Sequence, residues 1–265
     1  MNITFRIEPP TAHYAVEEMT RDAFWNFWED DRTICDEHLL VHKLRTCASF
    51  IPELNYIAEV EGNIAGHIIF TKSKIKDSAG NSHETLTFGP LTVLPKFQGK
   101  GIGKALMQHA FDKAKFLGFR AVIIYGIPDY YPRIGFRRAI EFNITTPDGS
   151  VFDALLVYPL YDGALDGISG KYYIDPVYAE LTQKEALEFD KKFPPKKPHI
   201  PVSIDVLLKR LDLKAVKAIK EKGFLTLDVI KSQSEREIAL LLGMDENAVE
   251  TVRSVMREHG YQWGS

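Results

Sequence analysis

Residues Phe88 to Gly103 read FGPLTVLPKFQGKGIG, and no other stretch of the chain restricts its fold as tightly. An apolar run of strand type is broken at Pro95, passes through a glycine-rich loop and enters a helical pattern. Glycine stands at 99, 101 and 103, and Gln98 heads the run. Glycine adopts positive φ without strain, so such a loop turns several backbone N–H groups toward one point. A helix starting just behind it adds N–H donors without intrahelical partners and a partial positive charge. Together they make an anion site built from backbone, suited to a phosphate or pyrophosphate. The plainer alternative is a glycine-rich strand-to-helix turn with no ligand.

Spacing excludes two common phosphate loops. A P-loop needs G-x-x-x-x-G-K-[ST]. Counting back from Gly103 and Lys104 puts Gln98 where its first glycine belongs and Ala105 where its hydroxyl belongs. A dinucleotide fingerprint needs G-x-G-x-x-G near the start of a βαβ unit, whereas these glycines recur every second residue and lie well into the chain. The pattern present is Q-x-x-G-x-G, from Gln98, Gly101 and Gly103. It resembles the acetyl-CoA pyrophosphate loop of the GNAT acetyltransferase superfamily.

The flanks strengthen that resemblance. LTV at 91–93 looks like the central strand of the family. After the loop, Ile102, Leu106, Ala110, Ala114 and Leu117 recur at helical spacing, with Lys115 and Gly118 closing the helix. AVIIY at 121–125 suits a buried strand, and Tyr131-Pro-Arg-Ile-Gly-Phe136 matches the family's Y-x-x-x-G-F. The resemblance extends over about residues 1–180. It implies that Leu91 and Val93 present backbone to the pantetheine arm and acetyl carbonyl. It further implies that Gln98, Gly99, Lys100, Gly101, Ile102, Gly103 and Lys104 hold the pyrophosphate, and that Tyr131 protonates the leaving CoA thiolate. Tyr130 stands next to Tyr131, and a packing aromatic in a turn is the structural alternative for either. Several members carry an asparagine seven residues before the tyrosine; here that position is Ile124.

Composition bounds the rest. A chain of 265 residues with 45% hydrophobic content supports a globular core and one large or two smaller domains. No apolar run approaches the ~18 residues of a membrane span, and the N-terminus lacks the basic and apolar regions of a signal peptide. Cys35 and Cys47, the two cysteines, read as reduced thiols of a cytoplasmic protein. Neither belongs to a metal-ligand pattern, so no metal and no thiol nucleophile are expected. A net charge of −3 argues against a broad polyanion-binding surface.

Along the chain, residues 3–7 alternate as a strand. Helices are expected over about 12–28, with Ala15, Met19, Ala23 and Phe27 apolar, and over about 36–48, with Leu39, Leu40, Leu44 and Ala48 apolar. NYIAEV and IAGHIIF flank Glu61-Gly62-Asn63 as a hairpin, and the central strand follows at 85–94. FNIT and FDALLVYPL on either side of Pro147-Asp148-Gly149 read as a second hairpin. This is mixed α/β with a largely antiparallel sheet, in agreement with the GNAT fold.

A linker is expected over 181–202, where KKFPPKKPHIP packs four prolines and four lysines into residues 191–201. Residues 203–265 form a small all-α domain. Leu207, Leu211, Val216, Ile219, Phe224, Leu227, Ile230, Ile238, Leu241 and Leu242 precede Gly243, and Val249, Val252, Val255 and Met256 follow it. Ser234 with Glu237 fits a capping box. The segment resembles the helix-hairpin-helix domain at the C-terminus of the bacterial RNA polymerase α subunit, through KEKGFLTLDVI, SEREIALLLG and REHG. That resemblance implies DNA contacts from basic residues behind the hairpin glycine, but here Gly243 is followed by Met244, Asp245 and Glu246. Lys214, Lys217, Lys220 and Lys222 keep some positive charge. Over 203–265, ten Lys and Arg balance ten Asp and Glu, so protein docking or intramolecular packing is favoured over nucleic acid.

The expected function is acetyl-CoA-dependent N-acetylation of an amine acceptor by direct transfer in a ternary complex. Glu84, His83, Glu59 and His67 are candidates for the base that takes the amine proton. The alternative is an acyl-CoA-binding regulatory module whose C-terminal domain contacts a protein or nucleic acid. A homodimer is compatible with either.

Overall fold

The computed structural model describes residues 2–25, 34–128, 130–196, 202–224, 226–241 and 243–261. The chain divides into two units, Met1–Pro198 and His199–Ser265. In the first, the described residues form a nine-stranded mixed sheet, ordered β1-β2-β3-β4-β5-β8-β6, with β9 on β3 and β7 on β9. Its strands are β1 (Ile3–Ile7), β2 (Tyr56–Val60), β3 (Asn63–Lys76), β4 (Ser82–Val93), β5 (Ala121–Tyr125), β6 (Arg137–Arg138), β7 (Ile144–Thr145), β8 (Leu155–Pro159) and β9 (Gly170–Tyr173).

The expected hairpin forms as β2 and β3. Glu61 (φ 51°) and Gly62 (φ 78°) both take positive φ, the geometry that matches strand twist in a two-residue turn. Helix α3 (Ile102–Phe116) lies on one face and buries Ile102, Leu106, Met107, Ala110, Phe111 and Ala114 against Ile68, Phe70, Leu86 and Phe88. Leu117, expected on that stripe, is exposed past the helix end. Helices α1 (His13–Phe24) and α2 (Glu37–Leu44) pack on the opposite face.

Three expectations need correction. First, α1 buries Val16, Glu17, Met19, Thr20 and Arg21, while Ala15 is exposed and Ala23 is half-buried. Apolar spacing misjudged the inner face because two charged residues are on it. Phe27 and the expected end of this helix lie outside the described residues. In α2 the buried apolar residues are Leu39, Val41 and Leu44, and Ala48 is exposed beyond its end.

Second, FNIT and FDALLVYPL do not pair with each other. β8 runs antiparallel to β5 (Ile123↔Val157) and to β6 (Arg137↔Val157), and β7 runs parallel to β9 (Ile144↔Gly170). Leu155, Leu156 and Val157 are all buried, so both faces of β8 are covered, as befits a strand inside the sheet between β5 and β6.

Third, the linker begins later than residue 181. Thr182 and Glu185 form a reciprocal capping box that starts α4 (Gln183–Asp190). Ala186, Phe189 and Phe193 are buried against Ile34 and Leu39. The Arg21 guanidinium, 1% exposed, donates to Asp190 from Nε at 2.5 Å and Nη2 at 2.9 Å, and to Pro194 O at 3.0 Å. Residues 197–201 of the expected linker lie outside the described residues.

The second unit contains α5 (Asp205–Leu208), α6 (Leu213–Glu221), α7 (Leu227–Ser232), α8 (Glu235–Ala239) and α9 (Glu246–Glu258). Leu207, Ile219, Leu227, Ile230, Ile238, Val252, Val255 and Met256 form its core. The Ser234–Glu237 capping box is formed. Leu242 lies outside the described residues.

Removing one partner of a buried ion pair leaves the other charge uncompensated. Asp190→Ala is therefore expected to lower unfolding free energy by about 3 kcal/mol or more in urea titrations. A loss below about 0.5 kcal/mol, the scale of an inert surface substitution, would show that α4 is not clasped through Arg21.

Candidate active site

The loop begins where β4 ends. Pro95–Phe97 make a 3-10 turn, the Gln98 N–H donates to Pro95 O at 3.2 Å, and Gln98 Nε2 donates to Val93 O at 3.0 Å. Gln98 thus ties the loop to the strand end. Gly99 (φ 73°) and Gly101 (φ 79°) occupy the left-handed region, and Gly101 is the N-cap of α3. No side chain caps this helix, and Ala105 N–H to Gly101 O, at 3.0 Å, opens its hydrogen-bond ladder. The N–H groups of Ile102, Gly103 and Lys104 therefore point out of the helix end. A Cβ at Gly103 would lie 3.5 Å from Val93 Cγ2, 3.7 Å from Leu91 Cδ2 and 3.9 Å from the Tyr130 hydroxyl. The missing side chain leaves the gap between helix end, strand and Tyr130. Exposed Lys96, Lys100 and Lys104 add positive charge around the loop.

The gap continues along β4. Parallel pairing of β4 with β5 is confined to Leu86↔Val122, whereas β5 pairs with β8 along its whole length. Opposite β3, Phe88 faces Phe70 and Leu91 faces Ile68, so Gly89 and Pro90 stand against Ile69 alone as a bulge. Leu94 N–H donates across to Ala65 O at 2.9 Å, while Val93 O faces Gln98. Alternation then turns the backbone of Leu91 and Val93 toward the open side. An unpaired edge of this kind accepts an extended polar chain.

Tyr131 stands near the start of the split. It opens a 3-10 turn, Tyr131–Ile134, closed by Gly135 (φ 111°), and Phe136 N–H returns to Tyr131 O at 3.3 Å. Pro132 is inside this turn, and no α-helix forms. The Tyr131 ring packs on Phe136 (5.2 Å between centroids), Tyr130 (5.1 Å) and Phe88 (6.1 Å), the last residue before the bulge. Burial pushes the Tyr131 pKa up, which keeps the phenol protonated. A Cβ at Gly126 would lie 2.6 Å from this ring. Gly126 was missed in the sequence, although its place at the end of β5 was a signal. Ile124 is buried under α3.

The four candidate bases are not gathered at the split. Glu84 pairs with Lys72 at 3.0 Å and His83 with Asp77 at 3.0 Å, both at the far end of β4 from the loop. Glu59 pairs with Arg6 at 2.7 Å. His67 is fully buried; its Nε2 meets Asn55 Oδ1 at 2.7 Å and Glu8 Oε2 at 3.5 Å. Its Nδ1 has no hydrogen-bond partner among the described residues, as suits a neutral ring, and burial pushes its pKa down. Burial alone would raise the Glu8 pKa, but His67 and Arg45 outweigh it and bring the carboxyl down to about 2. Arg45 also holds Glu17, which accepts from or faces His42 Nδ1 at 2.9 Å. This is a structural network beneath α1 and α2.

Known proteins share the sequence pattern and fold of the first unit. A model of the acetyltransferase (GNAT) family matches residues 17–139. The uncharacterized N-acetyltransferase YjhQ of Escherichia coli strain K12 is 31% identical over 135 residues, which are 51% of this chain and 70% of YjhQ. The uncharacterized N-acetyltransferase YhbS of the same strain is 27% identical over 165 residues, or 62% of this chain and 92% of YhbS. The crystal structure of Escherichia coli YhbS in complex with CoA has a TM-score of 0.57 at 25% identity, covering 68% of this chain and 93% of that one. A Brucella melitensis GNAT acetyltransferase in complex with acetyl-CoA shares the fold, with a TM-score of 0.52 at 23% identity over 67% of this chain and 98% of that one. The chain belongs to the GNAT family, and its activity is N-acetyl transfer. Among the described residues, no helix is long and apolar enough to cross a membrane.

The Glu8 network makes the unit acid-sensitive. A carboxyl whose folded pKa is about 2 against an ordinary 4.5 contributes stability above pH 4.5 that is lost as pH falls toward 2. Neutral buried His67 acts in the same direction, because protonation is disfavoured in the folded state. Glu8→Gln should be less stable at neutral pH and show a shallower fall of urea midpoint with acid. Parallel pH profiles for the two proteins would contradict this.

Proposed function

We propose that the chain moves an acetyl group from acetyl-CoA to an amine acceptor directly, in a ternary complex. The observation that carries this is the parting of β4 from β5, which runs on to the uncapped N-terminus of α3 and its glycine nest. Residues Gly99 to Lys104 would take the pyrophosphate on backbone N–H groups, with Gln98 fixing the loop and the lysines adding charge. The Leu91 and Val93 backbone would hold the pantetheine arm and orient the thioester carbonyl.

The amine must be unprotonated before its nitrogen attacks the thioester carbonyl carbon. As the C–S bond breaks, the Tyr131 hydroxyl would pass its proton to the sulfur and be reprotonated by the proton the amine gives up. The isolation of Glu84, His83, Glu59 and His67 from the split favours a water chain over a direct side-chain base. Cys35 is buried and its thiol pKa is pushed up by that burial, which disfavours an acyl-enzyme route.

For the second unit, a helix-hairpin-helix arrangement that docks a protein is the reading we favour. At Gly243 (φ 100°) a Cβ would come within 2.9 Å of Lys214 O, a close approach between hairpin loop and α6. Asp245 is engaged as the N-cap of α9, accepting from Ala248 N–H at 2.8 Å. Arg210 pairs with Glu258 at 2.7 Å and Arg253 with Glu235 at 2.6 Å, so these cations are already neutralised. Both features disfavour phosphate-backbone binding.

Release of CoA from acetyl-CoA in the presence of an amine panel tests the activity. Gly103→Val would fill the gap facing Leu91, Val93 and Tyr130. Calorimetry should show acetyl-CoA affinity reduced by at least about 100-fold, as expected when backbone approach is blocked, with little change in thermal midpoint. Unchanged affinity in the folded variant would refute the pyrophosphate assignment. Tyr131→Phe keeps the ring and removes the proton, so kcat should fall by about 100-fold, the scale of one general acid, at unchanged acetyl-CoA affinity. Full activity in Tyr131→Phe with loss in Tyr130→Phe would move the acid to Tyr130.

A further inference from the structure

The split between β4 and β5 has two faces. Along β5, Val122 and Ile124 turn into the core under α3, while Ala121 and Ile123 turn into a second core that contains Tyr172. Alternation places Tyr125, the last residue of the strand, on that second face, away from the nest. Its ring is 6.1 Å from that of Tyr172 and 6.1 Å from that of Phe152. The buried Tyr172 hydroxyl donates to Ile123 O at 2.7 Å. A row of Tyr172, Tyr125 and Phe152 therefore leads outward to the surface at the end of β5, the strand that borders the split.

The outer end of this row is apolar and uncovered among the described residues. Tyr125 is 45% exposed and Phe152 54%, and the two adjoining loops add Ile127 at 49% and Val151 at 56%. Gly126 N–H to Ala154 O, at 2.8 Å, holds those loops side by side. Single exposed apolar residues are ordinary, but a cluster at the end of the strand that borders the split marks a binding site. Asp148 adds a negative charge. Ser150 N–H (3.0 Å), Ser150 Oγ (3.1 Å) and Thr146 Oγ1 all donate to its carboxylate, and these bonds hold its pKa below the usual range. Ser150, which its two donors tie to this carboxylate, directly precedes Val151, so the turn holds the charge beside the patch. Aromatic faces and a fixed carboxylate both attract an ammonium ion.

We propose that Tyr125 and Phe152 form the acceptor platform, and that the acceptor is a primary amine carried on an aromatic body. Asp148 draws the ammonium to the patch, the aromatic body rests on the two rings, and the amine, once deprotonated, reaches past Tyr125 toward the split. A linear polyamine gains the attraction of carboxylate and ring faces for its ammonium groups but brings no aromatic body to cover the exposed apolar cluster. This inference rests on the acetyltransferase reading above.

The test uses the full chain with acetyl-CoA and measures CoA release with phenethylamine, tryptamine, putrescine and spermidine. The two aryl amines should exceed the polyamines in kcat/KM by at least about tenfold, the discrimination available to one apolar subsite. In Phe152→Ala that preference should largely vanish through a higher KM for the aryl amines, while acetyl-CoA affinity by calorimetry stays unchanged. Tyr125→Phe should retain the preference, and Tyr125→Ala should lose it. Turnover of polyamines but not aryl amines, or a preference unaltered in both alanine variants, overturns the platform and leaves the acetyltransferase reading intact. Acetyl-CoA binding with no aryl amine turned over also overturns it. Absence of acetyl-CoA binding would instead remove the underlying reading and the platform with it.

Discussion

β4 and β5 meet in parallel register at Leu86 and Val122, and beyond that pair each is held from its outer side. β3 carries β4 onward to Val93, and β8 carries β5 to Tyr125. Strand edges without partners are costly when buried, because backbone N–H and C=O groups lose water without gaining a bond. The sheet tolerates this edge because the bulge at Gly89 and Pro90 bends β4 away, and because Gln98 satisfies Val93 O from the loop. The nest, Tyr131 and the aromatic row at Tyr125 all take their positions from this parting. A chain that zipped the two strands closed would keep the same residues and have no channel between them.

The second layer depends on charge. Arg21, Glu17, Glu8 and Arg45 all point into the protein from α1, α2 or the segment before them, and each has an opposite partner there. Such pairs contribute less than their Coulomb attraction suggests, since both charges lose water. Their stronger effect is on specificity: a misplaced helix would strand a charge in the interior. The layer thus fixes where α1, α2 and α4 sit on the sheet opposite α3.

The features legible in the sequence were those written in backbone chemistry. Gly99 and Gly101 need positive φ, Gly62 closes a two-residue hairpin, and the stripe from Ile102 to Ala114 follows helical period, so loop, hairpin and α3 were each readable. What stayed hidden depends on partners distant in sequence. Arg21 is buried because Asp190 waits for it, and local periodicity carries no trace of that pairing. β8 takes β5 and β6 as neighbours and not β7 just before its turn, a choice that local pattern does not carry. Thr182 and Glu185 were readable by the same capping rule that located α8, yet the prolines nearby drew the segment toward a linker. At the site itself the nest was legible, whereas Gly126 and the Tyr125–Phe152 pair emerge once strand faces are known.

Gly126 has a consequence for how the site varies between related chains. The Tyr131 ring occupies the volume that any side chain at 126 would claim, and Ile124 Cδ1 closes the other side at 2.9 Å. The position of the phenol is therefore governed by the absence of a side chain at Gly126, several residues before the tyrosine motif begins. A homologue can keep the whole tyrosine motif and the glycine loop and still have its hydroxyl turned out of line by alanine there. Inspection of the motif alone would not reveal that change, so the placement of the ring is tracked by positions 126 and 131 together.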